Sequence, residues 1–199
     1  MSTPRAYFDD LYRNNDDPWR YRTSEYERRK RELLLASLPR ERYASGFEPA
    51  CSNGELSALL ARQCARLRIC DISQRAVAQA RERLANARGV TIDARAVPDE
   101  WPAGEVDLIV ISELAYYLSP AATTTLAERA WASLAVDGAI VACHWRHPFD
   151  GKLQSAEDVH AIFHSAFDAM RVVRHEEADF LLDVWSKDGR SVAQREGIA

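Results

Sequence analysis

The sequence predicts a doubly wound α/β fold: a mostly parallel seven-stranded sheet with one antiparallel strand near its edge, preceded by an N-terminal helical arm. Three observations carry that expectation. From Tyr43 onward, apolar stretches of strand length alternate with stretches of helical periodicity, the pattern of successive βα units. Val106–Ser112 (VDLIVIS) is almost continuously apolar, as a central parallel strand covered on both faces requires. The last two strand-like stretches lie too close together for a parallel crossover, so one of them runs antiparallel.

The first 42 residues set Tyr7, Phe8, Tyr12, Trp19, Tyr21 and Tyr26 among many charges, with no aliphatic run before Leu33. They read as two short helices, about 4–13 and 24–38, separated by Asn14-Asn15-Asp16-Asp17-Pro18, whose composition favours a turn. Pro39 ends the second helix. The basic run Arg28-Arg29-Lys30-Arg31 reads as a solvated face neutralised by Glu25, Glu27 and Glu32.

Strands are expected at 43–49, 66–72, 90–96, 106–112 and 139–145. Between them, residues 54–64 carry Leu56, Leu59 and Leu60 at helical spacing, and Ser73 stands as N-cap to a helix whose stripe is Ala76, Val77, Ala80 and Leu84, with Gly89 as its stop. Pro120 opens a helix running to about Leu134, and Asp137-Gly138 turns into the fifth strand. Residues 155–167 form a further helix, with Glu157 and Asp158 complementing its dipole. Strands near 170–176 and 180–187 complete the sheet.

At 199 residues and 22.5 kDa the chain is expected to be a single domain, with 1–42 as the arm and 43–188 as the core. Its 47% hydrophobic and 28% charged residues exclude disorder and collagen-like repeats. A net charge of -4 offers no basic face to nucleic acid or anionic membrane. Cys51, Cys64, Cys70 and Cys143 contain no C-x-x-C pair, and the N-terminus lacks the apolar segment of a signal peptide. The longest apolar stretch is too short for a membrane span. A cytoplasmic protein, monomeric or weakly dimeric, is expected.

In a doubly wound sheet the ligand sits beyond the carboxyl ends of the strands, and the first strand-to-helix turn is the primary place to look. Here it is FEPACSNGELS: small residues Ala50, Ser52 and Gly54 let the backbone approach a ligand, and Glu48 supplies an acid. Asp71 ends the second strand, where an acid accepts hydrogen bonds from a ribose diol. The loop lacks G-x-G-x-x-G, and Glu55 at the helix start repels a pyrophosphate while suiting a cationic end. That favours a nucleoside such as S-adenosylmethionine over a nicotinamide dinucleotide.

FEPACSNG, CDIS and VDLIVISELAYYL in this order resemble the class I S-adenosylmethionine-dependent methyltransferases. The DDPW turn, RYASGFEPACSNGELS, VPDEWP, SELAYYL and HWRHPFDG together resemble the nodulation protein S family, over roughly residues 7–167. The resemblance implies S-adenosylmethionine as cofactor and N-methylation of an amino sugar or deacetylated saccharide. It places the methionine end of the cofactor on Glu48, Ala50 and Gly54, the ribose on Asp71, Ile72 on the adenine, and Ala96 and Val97 at the adenine edge. This chain departs from the class at Ala50 and Ser52, where glycines are usual, and near Ala96, where an acid is usual.

By the same resemblance Glu113, at the end of the fourth strand, faces the substrate and the methyl in transit, with Tyr116 and Tyr117 following. His144 and His147 come after the fifth strand, where an imidazole could accept a proton from an amine; His144 reads equally as a hydrogen-bonded structural histidine. Trp19 either covers the cofactor or anchors the arm. His160 and His164 lie one helical turn apart, with no H-E-x-x-H pattern or third ligand, and no metal is expected. The core leaves no room for a substrate domain, so the arm and the loops after the fourth and fifth strands form the acceptor site. O-methylation of a small carboxylate or hydroxyl and a noncatalytic nucleoside-binding relative are the alternatives.

Overall fold

A computed structural model describes residues 2–167 and 170–199. Seven strands form one sheet in the order β3-β2-β1-β4-β5-β7-β6. β1 (Tyr43–Pro49), β2 (Cys64–Asp71), β3 (Val90–Ala94), β4 (Val106–Ser112) and β5 (Leu134–Trp145) are parallel, while β7 (Phe180–Ser186) runs antiparallel between β5 and β6 (Arg171–Glu176). The antiparallel strand is thus next to the edge. The order reverses at β1 and β4, so the loops after these two strands flank the crevice where a ligand binds.

β4 shows why an apolar run becomes the central strand. Leu108 and Val110 pack into the core on one face of the sheet, Ile109 and Ile111 into the core on the other, as strand alternation dictates. Its single charge, Asp107, has a local purpose: its carboxylate accepts the Ala44 and Ser45 N–H groups at 2.9 and 2.7 Å and pairs with Arg40.

α1 (Arg5–Asn14) and α2 (Glu25–Ala36) form the arm, and α2 starts where Ser24 accepts the Glu27 N–H. α3 (Glu55–Leu60) and α4 (Gln74–Arg83) are shorter than expected. The chain turns after Arg83, and Gly89 stands at β3 with φ +74°, where an added Cβ would lie 2.4 Å from the Ala65 carbonyl. Ser73 occupies the N-cap position of α4, but its hydroxyl donates to Asp9 of the arm at 2.8 Å instead of capping.

α5 (Pro120–Ser133) leads straight into β5, which begins five residues before the expected Ala139. Asp137-Gly138 is therefore no turn. The β4–β5 register jumps from Val106↔Leu134 to Leu108↔Ala139, so the extra residues bulge within the strand. α6 (Ala156–Ala166) opens with a capping box of Ser155 and Asp158, and a short α7 (Val192–Arg195), not expected from the sequence, follows β7. No helix among the described residues is long and apolar enough to cross a membrane.

Candidate active site

The loop after β1 makes its sharp turn with residues in the left-handed region: Ala50 at φ 57°, Ser52 at φ 51° and Gly54 at φ 81°. These are the positions at which small residues were expected, and two carry the steric cost of a Cβ there. Gly54 has a further constraint, since a Cβ would lie 3.2 Å from Ala80 Cα, and α3 could not pack so closely on α4. Asp71 holds the loop from the adjacent strand. Its carboxylate accepts the Ser52 N–H at 2.9 Å and the Ser73 N–H at 2.8 Å, and burial raises its pKa to about 6 against the pull of those bonds.

Glu48 is buried at the end of β1, where Ser57 donates to it at 2.5 Å. Burial pushes its pKa up to about 8. Glu55, in the first turn of α3, is paired with Arg83 at 2.6 Å.

Two recesses open at the carboxyl ends of the strands. The first lies over the β1–α3 loop and includes Glu48, Ala50, Ser52, Asn53, Glu55 and Arg31 in its walls. The second is walled by aromatic side chains: Tyr7, Trp19, Tyr21, Tyr26, Tyr116, Tyr117, Trp145 and Phe149. Tyr21, Glu27, Lys30 and Glu113 line both. The arm closes over this edge through several bonds: Tyr12 to the Ser52 hydroxyl at 2.5 Å, Asn53 to Asp17 at 3.0 Å, and the Thr3 N–H to the Tyr117 carbonyl at 2.8 Å.

At the shared wall, Lys30 is an almost fully buried ammonium. It pairs with Glu27 and with Glu113, each at 2.8 Å, and sits over the ring of Tyr26. Burial opposes its charge, but the two carboxylates outweigh that and raise its pKa. Glu113 has φ 54°, and its other oxygen accepts the Tyr116 hydroxyl and the Trp145 N–H.

The expected site residues divide. Glu48 and Ala50 line the first recess, Glu113 lines both and Trp19 lines the second, where Trp19 stacks on Tyr21. Asp71 and Gly54 shape the loop from behind. Ile72, Ala96 and Val97 lie half-buried at the ends of β2 and β3 and line neither recess, and Val97 packs on the core.

The two histidines differ from expectation. His144 is fully buried and lines neither recess. Its Nε2 accepts the Ala115 N–H at 3.1 Å, so Nδ1 carries the proton and donates to His160 Nε2 at 3.1 Å; His160 in turn donates to Asp183 at 2.7 Å. Burial lowers the His144 pKa and keeps the ring neutral. It is the structural histidine of the two readings. His147 is exposed, paired with Asp179 at 2.8 Å and packed on Trp145, outside both recesses. His160 is committed to Asp183, and His164 accepts the Trp185 indole N–H at 3.4 Å.

Glu27, Lys30, Tyr21 and Arg31 are site residues that the sequence did not single out. Arg28 and Arg29 are solvated as expected, but Glu27, Lys30 and Leu34 form a buried stripe of α2. The i, i+3, i+7 spacing of an acid, a base and a leucine was the available signal.

This strand order, with a tight left-handed loop after β1 and an acid ending β2, defines the fold of class I methyltransferases. The chain belongs to the nodulation protein S (NodS) family, whose profile matches residues 8–177. It is similar to the crystal structure of N-methyltransferase NodS from Bradyrhizobium japonicum WM9 in complex with S-adenosyl-L-homocysteine, at 27% identity and TM-score 0.78, covering 94% of this chain and 98% of that one. A Pseudomonas syringae protein provisionally assigned as a methyltransferase is 49% identical, with TM-score 0.74, over 82% of this chain and 99% of the other. Nodulation protein S of Rhizobium tropici is 33% identical over 113 residues, 56% of this chain and 48% of that protein. The chain spans about half the length of the curated relatives it matches.

Proposed function

We propose that this protein is an S-adenosylmethionine-dependent methyltransferase that N-methylates an amine on a sugar-sized acceptor. The observation that carries this reading is the meeting of two recesses, one over a nucleoside-type loop and one walled by aromatics, at a shared buried cluster of charge. When bound, S-adenosylmethionine supplies an electrophilic methyl group on a sulfonium.

The residues present fit that cofactor. Arg31 Nη1 and Asn53 Oδ1 are buried at the first recess without a hydrogen-bond partner among the described residues, a donor and an acceptor suited to a carboxylate and an ammonium. Glu48 stands near them for the ammonium, and Asp71 at the end of β2 for the ribose hydroxyls, with Ile72, Ala96 and Val97 beside the base. The left-handed Ala50 and Ser52 show that the chain keeps the tight loop without the usual glycines, which weakens the case for a noncatalytic relative.

The second recess supplies aromatic faces for a sugar ring and, from Glu27, Lys30 and Glu113, one excess negative charge for an ammonium. The protein's main contribution to rate is to hold acceptor and methyl in line and exclude water. Calorimetry with S-adenosylhomocysteine tests the first recess, and no binding at millimolar ligand would sink the reading. Mass spectrometry of products from amino sugars, carboxylates and phenols tests the second; methyl esters or ethers alone would reject the amine.

A further inference from the structure

The shared cluster holds two carboxylates in unlike surroundings. Glu113 is saturated: Lys30 takes Oε1, and the Tyr116 hydroxyl and the Trp145 N–H take Oε2. Glu27 has one side-chain partner. Lys30 donates to Oε1 at 2.8 Å, and among the described residues Oε2 has no hydrogen-bond partner. Glu27 lines both recesses with 11% of its side chain exposed, so it is shielded from bulk water yet open to a ligand.

We infer that Glu27, steadied by Lys30, is the carboxylate that meets the acceptor amine and takes its proton, and that Glu113 is the anchor that fixes Lys30. The inference rests on the amine reading above. An alkylammonium has no lone pair with which to attack. One N–H bond breaks, its electron pair stays on nitrogen, and the proton passes to Glu27 Oε2. The nitrogen pair then forms the new N–C bond while the methyl–sulfur pair returns to sulfur. The products are a methylammonium and S-adenosylhomocysteine, and Glu27 releases its proton to solvent. Burial raises the proton affinity of Glu27; Lys30 and Arg31 oppose this and Glu113 adds to it. Glu113 has no such freedom, since both of its oxygens are already taken by donors.

The test follows methyl transfer from S-adenosylmethionine to glucosamine between about pH 6 and pH 10, with calorimetry of S-adenosylhomocysteine and of glucosamine added to that complex. Glu27→Gln should lose less affinity for S-adenosylhomocysteine than for glucosamine, which should bind about tenfold more weakly. Its kcat/KM should fall about a hundredfold at neutral pH, then climb about tenfold per pH unit toward the amine's own pKa, where free amine no longer needs a base. Glu27→Asp should keep the shallow pH profile at a lower rate, and decides the matter if Glu27→Gln does not fold; a steep profile there overturns the proposal. Glu113→Gln should lower the rate without steepening the profile. Near-normal turnover by Glu27→Gln at neutral pH, or a steep profile in Glu113→Gln alone, overturns the proposal while leaving N-methylation standing. Transfer to no amine by the unaltered protein overturns both.

Discussion

The two recesses are built from different materials. The floor of the first owes its shape to backbone: Ala50, Ser52 and Gly54 turn a single loop, and Asp71 fastens it through the Ser52 N–H. The second is assembled from side chains of five separate stretches: α1, the turn before α2, α2 itself, and the loops after β4 and β5. The loop of the first recess stands on the core, with one wall lent by Arg31, Leu34 and the shared cluster of α2, whereas the second recess exists only while the whole arm is docked. Cofactor binding and acceptor binding should therefore respond differently to damage in the arm.

The largest effect is expected at the joint between them. Lys30→Met would leave Glu27 and Glu113 buried without their cation, and removal of one member of a buried ion pair typically costs about 3–5 kcal/mol. Urea unfolding should show a loss of that order, accompanied by faster proteolysis within the arm. A loss below about 1 kcal/mol with an intact arm would mean that the cluster is hydrated, and the proposed contrast between the recesses would weaken.

Glu48 should make stability depend on pH. Its folded pKa of about 8 lies above the ordinary glutamate value, so the folded state holds a proton that the unfolded chain loses as pH rises past about 4.3. This contribution is full below that value, declines as pH rises, and is exhausted above about 8, with a slope of up to about 1.4 kcal/mol per pH unit between. Asp71 acts in the same direction, up to about pH 6. Unfolding curves at pH 5 and pH 7.5 should show the decline, and Glu48→Gln should remove most of it. An equal decline in that variant would assign the effect elsewhere.

Asp71→Asn probes the loop without touching the arm's charges. The amide retains one acceptor oxygen but places an NH₂ group against a backbone N–H, losing one charge-assisted bond of about 1.5–3 kcal/mol. Affinity for S-adenosylhomocysteine should drop by at least about tenfold. Unchanged affinity would separate Asp71 from the cofactor.

Legibility in the sequence follows the same division. β1 and β4 were readable to the residue, because apolar continuity and flanking turns are local signals. The tight turn after β1 was legible too, since Glu48, Ala50, Gly54 and Asp71 lie at or just beyond strand ends that the alternation locates. The boundary of β5 was not readable: Asp137-Gly138 is a turn signal, but pairing with β4 absorbs it as a bulge. His144 and Glu27 were misplaced for a tertiary reason. Nothing near His144 in sequence announces Asp183, and the spacing of Glu27, Lys30 and Leu34 marks a stripe on α2 but not the end of β4 that it covers.

The smallest effect is the most selective. Ala50 carries a left-handed backbone, at a cost of about 1–2 kcal/mol for an L-residue. Glycine would remove that cost but lose more freedom on folding, an opposing term of about 0.4–1 kcal/mol. Ala50→Gly should therefore stabilise the protein by about 0.5 kcal/mol, detectable as a small rise in urea midpoint. Ser52→Gly has the same backbone benefit but gives up the bond from Tyr12, the arm's tie to the loop. It should show no net gain and looser binding of the arm, seen as increased proteolysis near Tyr12. If both variants are equally stabilised, the arm draws nothing from the loop, and the two recesses are coupled only through their shared wall.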